Sequence, residues 1–425
     1  MDDAVYQYQH ARSPKELLFQ FTRCMVHFAV DDAQVKFCTR LQGKESWFLP
    51  FNKGYKDGAG NPPNPDGLMT DYLWKQVLTK DMLSRIIENY ATLVEEKDEE
   101  TGKTRYKQIF PRYHQLTAVE SLLADVKKNG VGNRYLIQHS AGSGKSNSIA
   151  WLAHQLTGLE DAQGNLLVDS VIVVTDRVVL DKQIRDTIRQ FAQTRNIIAW
   201  AEHSGDLRKA IEDGRRIIIT TIGKFPYVLP EIGEDHKDRH FDIIIDEAHS
   251  SQNGKTAGTM NMTLSAIMSD PDMDNEDKIN AMCEGKKLLT NASYFAFTAT
   301  PKNKTLETFG TAYEDAGVIK HRPFHVYTMK QAIQEGFILD VLKYYTPIDS
   351  YYRLKKTVED DPMFDKKKAQ KKLRAFVENQ TFTIAQKADM MVSHFHEQVI
   401  AKGKIGGQAR AMIITSSIER CIEYY

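Results

Sequence analysis

The stretch "HSAGSGKS", which begins at His139, has the residue types of a loop that binds phosphate. Gly142 and Gly144 would let backbone N–H groups approach phosphate oxygens without a Cβ in the way. Lys145 would place its ammonium group against the terminal phosphates, and the Ser146 hydroxyl could ligate Mg²⁺. The general pattern Gly-x-x-x-x-Gly-Lys-Ser/Thr is incomplete, because a histidine occupies the position of its first glycine. A Gly/Ser-rich turn that caps a helix is the alternative interpretation.

A second polar element is the run "FDIIIDEAHSS", in which an apolar stretch delivers two adjacent carboxylates. Open α/β sheets bind their ligands at the carboxyl ends of strands, where Asp246 and Glu247 would lie. Asp246 could hold the same Mg²⁺ as Ser146, and Glu247 could polarise an attacking water molecule. A solvated acidic loop is the usual interpretation of such a pair. Here the loop, the acidic pair and "FTATP" occur in order, each after its own apolar run, which favours a nucleotide site.

The elements that must position these residues are visible as an alternation of apolar and helical stretches from about residue 106 onward. The apolar runs are "RYLIQ", "SVIVVT", "RIIIT", "FDIIID" and "SYFAFTAT". Such alternation predicts a parallel sheet with helices on both faces. Nearly continuous Val/Ile runs are typical of strands buried on both sides. We therefore predict an α/β fold that brings the loop and the acidic pair to one edge of a sheet.

The 425 residues are too many for one ordinary domain, and four segments are predicted. Residues 1–55 combine a helix over Ser13–Phe21 with β-rich runs. Residues 56–105 form a linker with helices, which ends in a charged run, "EEKDEETGKTRYK", that is either an exposed hairpin tip or a linker. Residues 106–328 form the first α/β lobe, and residues 329–425 begin a second one, with strands in "LKYYTPI" and "ARAMIITS" and a charged helix in "DKKKAQKKLRAF".

Composition narrows the function classes. The formal net charge is +0, so a nucleic-acid site would have to be a local patch. The four cysteines form no Cys-x-x-Cys pair, which argues against a zinc site or disulfide framework and fits a reducing cytoplasm. No apolar run is long enough to span a membrane, and the first 20 residues are too polar for a signal peptide. We expect a cytoplasmic protein without a membrane partner.

The motifs "AGSGKS", "DEAH" and "FTATP" resemble motifs I, II and III of superfamily 2 helicases and translocases, whose motif I does not require a leading glycine. The resemblance implies RecA-like lobes, with ATP and Mg²⁺ as cofactors. It implies that the catalytic residues are Lys145, Asp246 and Glu247, with the metal held by Ser146 and Asp246. It implies that ATP contacts come from Ser140, Ala141, Gly142, Ser143, Gly144, Lys145, Ser146 and Asn147. Coupling of ATP to DNA would involve His249, Thr298, Ala299 and Thr300.

Further stretches resemble other motifs of the same superfamily. "FPRYHQLTAV" resembles its adenine-reading element, so Gln115 would take the adenine edge with Arg112 and Tyr113 nearby; a glutamine in solvent at a helix start is the alternative. "VIVVTDRVVLDKQ", "IIITTIGKF" and "RAMIITSSIERC" resemble motifs Ia, Ib and IV. Hydroxyl, guanidinium and ammonium groups are common phosphate partners. The implied DNA contacts are Thr175, Arg177, Thr221, Lys224, Thr415 and Ser416, any of which could equally be a plain loop residue.

The stretches "RSPKELLFQFTRCMVHFAVDD", "FLPFNKG", "GAGNPPN" and "LIQHSAGSGKSNSIAWLAH" resemble the R (restriction and translocation) subunits of type I restriction-modification enzymes. This resemblance covers essentially the whole chain. It implies an N-terminal nuclease domain of the Asp…Glu-x-Lys type followed by two RecA-like motor lobes. It also implies double-stranded DNA as substrate, a prokaryotic cytoplasm, and the modification (methyltransferase) and specificity subunits as partners.

The chain departs from this plan in two places. Residues 1–55 contain no convincing Asp…Glu-x-Lys set, because Asp31 and Asp32 are predicted to follow a helix and "GKESW" has its lysine before its glutamate. Motifs V and VI, which include an arginine that stabilises the transferring phosphate, are not present in the 425 residues. We therefore expect the tail of a nuclease domain, one complete lobe and the start of another. Such a piece of a longer protein would bind ATP weakly, hydrolyse it poorly and leave DNA uncut.

Three functions are compatible with these residues. The leading hypothesis is the ATP-driven double-stranded DNA translocase core of a type I restriction endonuclease. A strand-separating superfamily 2 DNA or RNA helicase is the first alternative, which "DEAH" permits and the N-terminal stretches disfavour. A non-catalytic ATP- or DNA-binding module is the second, and it describes the isolated piece better than the parent protein. The intact set Lys145, Ser146, Asp246 and Glu247 argues against lost chemistry in the parent.

Overall fold

The computed structural model describes residues 1–97, 104–175, 186–189, 197–201, 203–221, 236–246, 291–340, 381–403, 409–415 and 417–425. The chain divides into two compact units, Met1–Glu335 and Gly336–Tyr425. The predicted domain boundaries near residues 55, 105 and 328 stay predictions.

The N-terminal part contains a small antiparallel sheet. Its strands, in the order β1-β2-β3, are β1 His27–Val30, β2 Val35–Cys38 and β3 Leu49–Pro50. Helix α1, Asp2–Tyr6, precedes the sheet and continues as a π-helix over Gln7–Ala11.

The helix predicted over Ser13–Phe21 is wrong, because only Leu17–Phe19 form a single 3₁₀ turn. Pro14 disfavours helical geometry at the residue before it, and Leu17 and Leu18 are 64% and 68% exposed, so burial of these leucines does not stabilise a helix. Asp31 likewise follows strand β1 and not a helix.

The next segment is partly helical, as predicted. A π-helix covers Leu73–Val77, and helix α2 covers Lys80–Asn89, with the Thr79 side chain accepting a hydrogen bond from the Met82 N–H. The run "WKQVLTKDMLSRIIENYATLV", which ends at Val94, has apolar residues at helical spacing and predicts one helical piece, but the helix ends at Asn89. Strands β4, Thr92–Lys97, and β5, Thr104–Ile109, then form the predicted exposed hairpin.

The centre of the first unit is a seven-stranded, fully parallel sheet in the order β14-β6-β11-β10-β7-β9-β8. Its strands are β6 Arg134–His139, β7 Ser170–Thr175, β8 Ile198–Trp200, β9 Ile217–Thr221, β10 Phe241–Asp246, β11 Ala292–Thr298 and β14 His325–Tyr327. The five strands expected from the apolar runs are all present. The predicted α/β fold with a parallel sheet is confirmed.

Helices cover both faces of this sheet. They are α3 Tyr113–Asn129, α4 Lys145–Thr157, α5 Ser204–Glu212 and α6 Asn303–Phe309. Alternate residues of β7 point to opposite sides: Val171 and Val173 join the core beneath α3 and α4, whereas Ile172 and Val174 join the core beneath α5 and α6. Burial on both faces explains why these strands have almost no polar residues.

The N-terminal sheet shares the first of these cores. Val35, Phe37 and Phe51 are buried in the same cluster as Leu122 of α3 and Ile137 of β6. The N-terminal residues therefore pack on the sheet-covering helices and contribute to one continuous apolar interior.

Two short elements complete the first unit. Strands β12, Thr311–Asp315, and β13, Val318–Arg322, form an exposed antiparallel hairpin ahead of β14. Helix α7, Met329–Gln334, follows β14 and is capped by the Thr328 side chain.

The second unit contains helix α8, Thr381–Phe395, which continues as a π-helix over His396–Ile400, and helix α9, Ile418–Tyr424. Residues 409–415, within the predicted strand "ARAMIITS", form no strand. The runs "LKYYTPI" and "DKKKAQKKLRAF" lie outside the described residues. In the described part of the chain, no helix has the length and apolar character needed to cross a membrane.

Candidate nucleotide site

The glycine-containing loop connects β6 to α4, which is the strand–loop–helix context expected of a phosphate-binding loop. Gly142 and Gly144 have φ values of 72° and 77°, in the left-handed region that favours glycine. The Gly144 carbonyl accepts from the N–H groups of Asn147 and Ser148 at 3.1 and 3.4 Å, which begins the helix. The start of α4 therefore directs its first N–H groups into the loop.

The first turn of α3 holds the carbonyl groups of this loop. Arg112 Nη1 donates to the Gly142 carbonyl at 2.8 Å, and Gln115 Nε2 donates to the Gly144 carbonyl at 2.9 Å. His114 Nε2 lies 3.0 Å from the Ser143 carbonyl oxygen. Carbonyl oxygens repel phosphate, so engaging three successive carbonyls on one helix leaves the loop's N–H groups as the partners for an anion.

The three residues predicted to surround adenine are thus placed beside the loop. Gln115 is 2% exposed, and its Oε1 accepts from the Arg112 N–H at 2.9 Å. Burial lowers the pKa of Arg112 to about 10, against the opposing influence of Tyr327 and Glu335. The Tyr113 ring packs edge-on against Phe51 and Tyr72, with ring centroids at 5.6 and 5.0 Å, and burial raises its pKa to about 12.

The remaining loop residues differ in exposure. Lys145 Nζ donates to the His139 carbonyl at 3.3 Å, so its ammonium group already lies against the loop. Ser146 and Asn147 are half-buried in the first turn of α4. Ser140 and Ser143 are buried, whereas Ala141 and Gly142 are exposed.

Strand register brings the second and third motifs to the same edge. Asp246 ends β10, is 5% exposed and pairs with Phe297 of β11, while Thr298 pairs with Gln138 of β6. Since β11 lies between β6 and β10, two strand spacings of about 4.8 Å each separate the loop strand from the Asp246 strand. Thr298 is fully buried, and the two residues after it, Ala299 and Thr300, become progressively exposed.

The sequence patterns did not predict a histidine cluster beneath the loop. His139, in place of the expected glycine, is fully buried, and its Nε2 lies 2.9 Å from His325 Nδ1. His114 stacks on Tyr327 with ring centroids 3.7 Å apart. Burial is the main cause that lowers the pKa of all three histidines, to about 4 for His325, so the rings are neutral at neutral pH. The only sequence feature that could have indicated this cluster was a histidine directly after the apolar run "RYLIQ".

A profile of the SWI2/SNF2 ATPases matches residues 114–374, which is more than half of the chain and includes the loop, β10 and β11. This chain belongs to the SWI2/SNF2 ATPase family.

Two curated relatives of this SWI2/SNF2 ATPase chain are type I restriction enzyme subunits. Over 235 residues it is 27% identical to the Type I restriction enzyme SauMSSORF170P endonuclease subunit of Staphylococcus aureus (strain MSSA476), covering 54% of this chain and 21% of the relative. Over 159 residues it is 31% identical to the C-terminal part of the MpnIIP endonuclease subunit of Mycoplasma pneumoniae, covering 34% of this chain and 73% of the relative. The match thus spans about a fifth of the S. aureus protein. The predicted resemblance to type I R subunits is confirmed.

A solved structure with a similar chain is the fragment of an HsdR subunit of a type I restriction enzyme from Vibrio vulnificus YJ016. The two are 15% identical, the alignment covers 73% of this chain and 54% of that chain, and the TM-score is 0.32.

The DNA contacts predicted for this SWI2/SNF2 ATPase are only partly within the described residues. The Thr175 hydroxyl is buried and donates to the Thr220 carbonyl at 3.4 Å, so it faces the neighbouring strand and not solvent. Thr221 pairs in register with Thr175 and is half-buried. Thr415 belongs to the second unit, where its hydroxyl donates to the Ser417 carbonyl at 2.9 Å. These contacts stay predictions. Predicted site residues that lie outside the described residues are Arg177, Lys224, Glu247, His249 and Ser416.

Proposed function

We propose that this chain is the ATP-hydrolysing part of a motor that moves double-stranded DNA in a type I restriction enzyme. One observation carries the proposal: the loop after β6, with its carbonyls held by α3, lies at the same sheet edge as Asp246 and Thr298. ATP binding and hydrolysis require phosphate-binding, metal-binding and coupling residues close together, and the ends of β6, β10 and β11 bring the three motifs to one edge of the sheet.

In this proposal, the loop N–H groups and Lys145 bind the phosphates of ATP. The Ser146 hydroxyl and the Asp246 carboxylate would hold Mg²⁺, because hydroxyl and carboxylate oxygens are ligands that suit this hard cation. The metal, when bound, neutralises charge on the β- and γ-phosphates. The burial of Asp246 keeps bulk water from competing for its carboxylate. Glu247 would orient the attacking water.

Adenine recognition is proposed for Gln115. Its side chain uses one N–H on Gly144 and one lone pair on the Arg112 N–H. An amide has a second N–H and a second acceptor position, which match the acceptor and donor of the adenine edge. Thr298, Ala299, Thr300 and His249 would then transmit the state of the nucleotide toward DNA.

The proposed partners follow from the relatives. The S. aureus and M. pneumoniae chains are named as endonuclease subunits of type I restriction enzymes, which supports double-stranded DNA as the track and a multisubunit assembly. The methyltransferase and specificity subunits would bind the chain and direct it to DNA. Proposed DNA phosphate contacts are Arg177, Thr221, Lys224, Thr415 and Ser416. Thr175 would join them only if its buried hydroxyl turned away from the Thr220 carbonyl. The cellular site would be the prokaryotic cytoplasm.

A triplex-displacement assay tests this function on the assembled restriction enzyme that contains the chain. We expect ATP and Mg²⁺ to cause displacement of a third strand located far from the recognition site, with the duplex left intact. The Lys145→Ala enzyme should displace none. Separated single strands as the main product would instead establish the strand-separating helicase, and no ATP-dependent displacement by the wild type would favour a non-catalytic ATP- or DNA-binding module.

A further inference from the structure

We propose that His325 and Tyr327, in the edge strand β14, are positioning residues that hold the phosphate loop in its binding shape; this rests on the ATP binding proposed above. Neither residue belongs to the motifs that identify the nucleotide site. Both lie in a three-residue strand that reaches the loop from the side opposite β11.

Strand β14 contacts the point where β6 turns into the loop. Tyr327 pairs in register with His139, and its carbonyl accepts from the Ser140 N–H at 3.0 Å. His325 Nδ1 lies 2.9 Å from His139 Nε2. The backbone of the first loop residue and the ring of the last strand residue are therefore both held by β14.

The proton positions of this cluster follow from Thr117 of α3. Its hydroxyl lies 3.0 and 3.3 Å from the carbonyl oxygens of Tyr113 and His114, which can only accept its one hydrogen. We therefore assign the Thr117 oxygen, 3.2 Å from His325 Nε2, as the acceptor in that contact. His325 then carries its hydrogen on Nε2, and its Nδ1 accepts from His139 Nε2. His139 Nδ1 is left bare; it is buried and has no hydrogen-bond partner among the described residues. The hydrogen bonds thus run from His139 of β6 through His325 of β14 to Thr117 of α3, each residue donating to the next.

Tyr327 fixes the loop from a second side. Its ring stacks on His114, whose Nε2 lies 3.0 Å from the Ser143 carbonyl oxygen. Its hydroxyl donates to Glu335 at 2.7 Å, and Gln331 of α7 donates to the same carboxylate at 2.9 Å. The tyrosine is thereby held at both ends, and its face supports the imidazole that contacts the loop.

These contacts also explain why a histidine can replace the first glycine of the loop pattern. His139 is the last residue of a buried strand, and positive φ in this loop is confined to Gly142 and Gly144. A Cβ is therefore tolerated at this position, and the ring gains a partner in β14. Because the His139 carbonyl accepts from Lys145 Nζ, anchoring His139 also sets where that lysine rests.

The test measures the dissociation constant of Mg·ATP by calorimetry on the 425-residue chain. We expect His325→Ala and Tyr327→Leu each to weaken binding about tenfold. His325→Asn should recover most of the loss, because its amide oxygen can accept from His139 Nε2. His240→Ala is the matched control. It removes an exposed histidine just before the start of β10, at the sheet edge opposite the phosphate loop, and should bind as the wild type does.

A second readout separates positioning from general stability. Nitrogen NMR of the histidine rings should show His139 and His325 as neutral, with hydrogen on Nε2, and the His139 signals should shift in His325→Ala. Lys145→Ala separates the two proposals. If it loses Mg·ATP binding while His325→Ala and Tyr327→Leu bind normally, the positioning role is overturned. If Lys145→Ala binds Mg·ATP normally, the nucleotide site itself is wrong.

Discussion

Gln115 Nε2 donates to the Gly144 carbonyl at 2.9 Å, so the residue proposed to read adenine also holds the last residue of the phosphate loop. Its other amide atom accepts from the Arg112 N–H at the start of α3. A single side chain thus joins the expected base contact to the expected phosphate contact. Base identity and loop geometry should therefore respond together to changes at this position.

Replacing Gln115 with alanine tests that link. The substitution removes both remaining hydrogen-bonding positions for the adenine edge, a loss of roughly 1–3 kcal/mol in discrimination between bases. We expect the preference for ATP over GTP to fall by about tenfold or more, with weaker binding of both nucleotides. Competition binding with the two triphosphates measures the ratio. An unchanged ratio would show that adenine is read elsewhere.

Replacing Gly144 with alanine should disrupt the loop. A Cβ at this position would lie 2.5 Å from Gln115 Nε2, in addition to the cost of φ +77°. Gly164→Ala is the matched control, because φ there is +83° but nothing lies within 4 Å of the added carbon. We expect ATP affinity to fall at least about tenfold for Gly144→Ala alone. Equal affinities of the two variants would contradict the clash with Gln115.

Replacing Phe51 with alanine tests the shared core. Phe51 is fully buried and packs against Phe28, Phe37 and Tyr113. We expect a loss of about 3–5 kcal/mol in the free energy of unfolding, measured by urea titration. The exposed Leu18→Ala should have little effect. If urea unfolding showed two separate transitions and Phe51→Ala shifted only one of them, the N-terminal residues would fold independently of the parallel sheet.

Asp242, which is fully buried in β10, makes the first unit sensitive to pH. Burial raises the pKa of Asp242 to about 7 from 3.8, and the nearby Ser293 hydroxyl offsets part of the rise. The folded state therefore keeps a proton that the unfolded state loses. Between these two pKa values, stability falls as pH rises, by at most about 1.4 kcal/mol per pH unit.

The Asp242→Asn variant should remove this dependence. Urea unfolding should show it to be more stable than the wild type at pH 8 and nearly equal to it at pH 4. The exposed Asp213→Asn is the control for loss of one carboxylate. A constant difference between wild type and Asp242→Asn at both pH values would contradict a protonated Asp242.

The sequence was sufficient to predict the strands that carry the motifs. Runs such as "FDIIID" and "SYFAFTAT" are apolar without alternation, which is the pattern of strands buried on both faces, and both form strands of the parallel sheet. Gly142 and Gly144 predicted a loop in which backbone groups approach a phosphate, and both residues have the positive φ that glycine adopts without strain. Local composition was enough because each of these features depends on neighbouring residues.

Features that depend on distant partners were missed. The role of His139 requires His325, 186 positions later in the chain, and the strand that carries His325 has only three residues. The helix over Ser13–Phe21 was predicted from apolar spacing, but Leu17 and Leu18 in this segment remain exposed. The packing of Phe51 on Tyr113 likewise could not be read from either segment alone.

The proposed function is tested most directly by DNA-dependent ATP hydrolysis in the assembled enzyme. Wild type, Lys145→Ala and the exposed-lysine control Lys209→Ala would be compared with Mg²⁺, with and without duplex DNA. We predict turnover that requires both Mg²⁺ and duplex DNA, unchanged in Lys209→Ala and reduced about a hundredfold or more in Lys145→Ala. Equal DNA-stimulated turnover in Lys145→Ala and wild type would contradict the assignment of the loop as the ATP site.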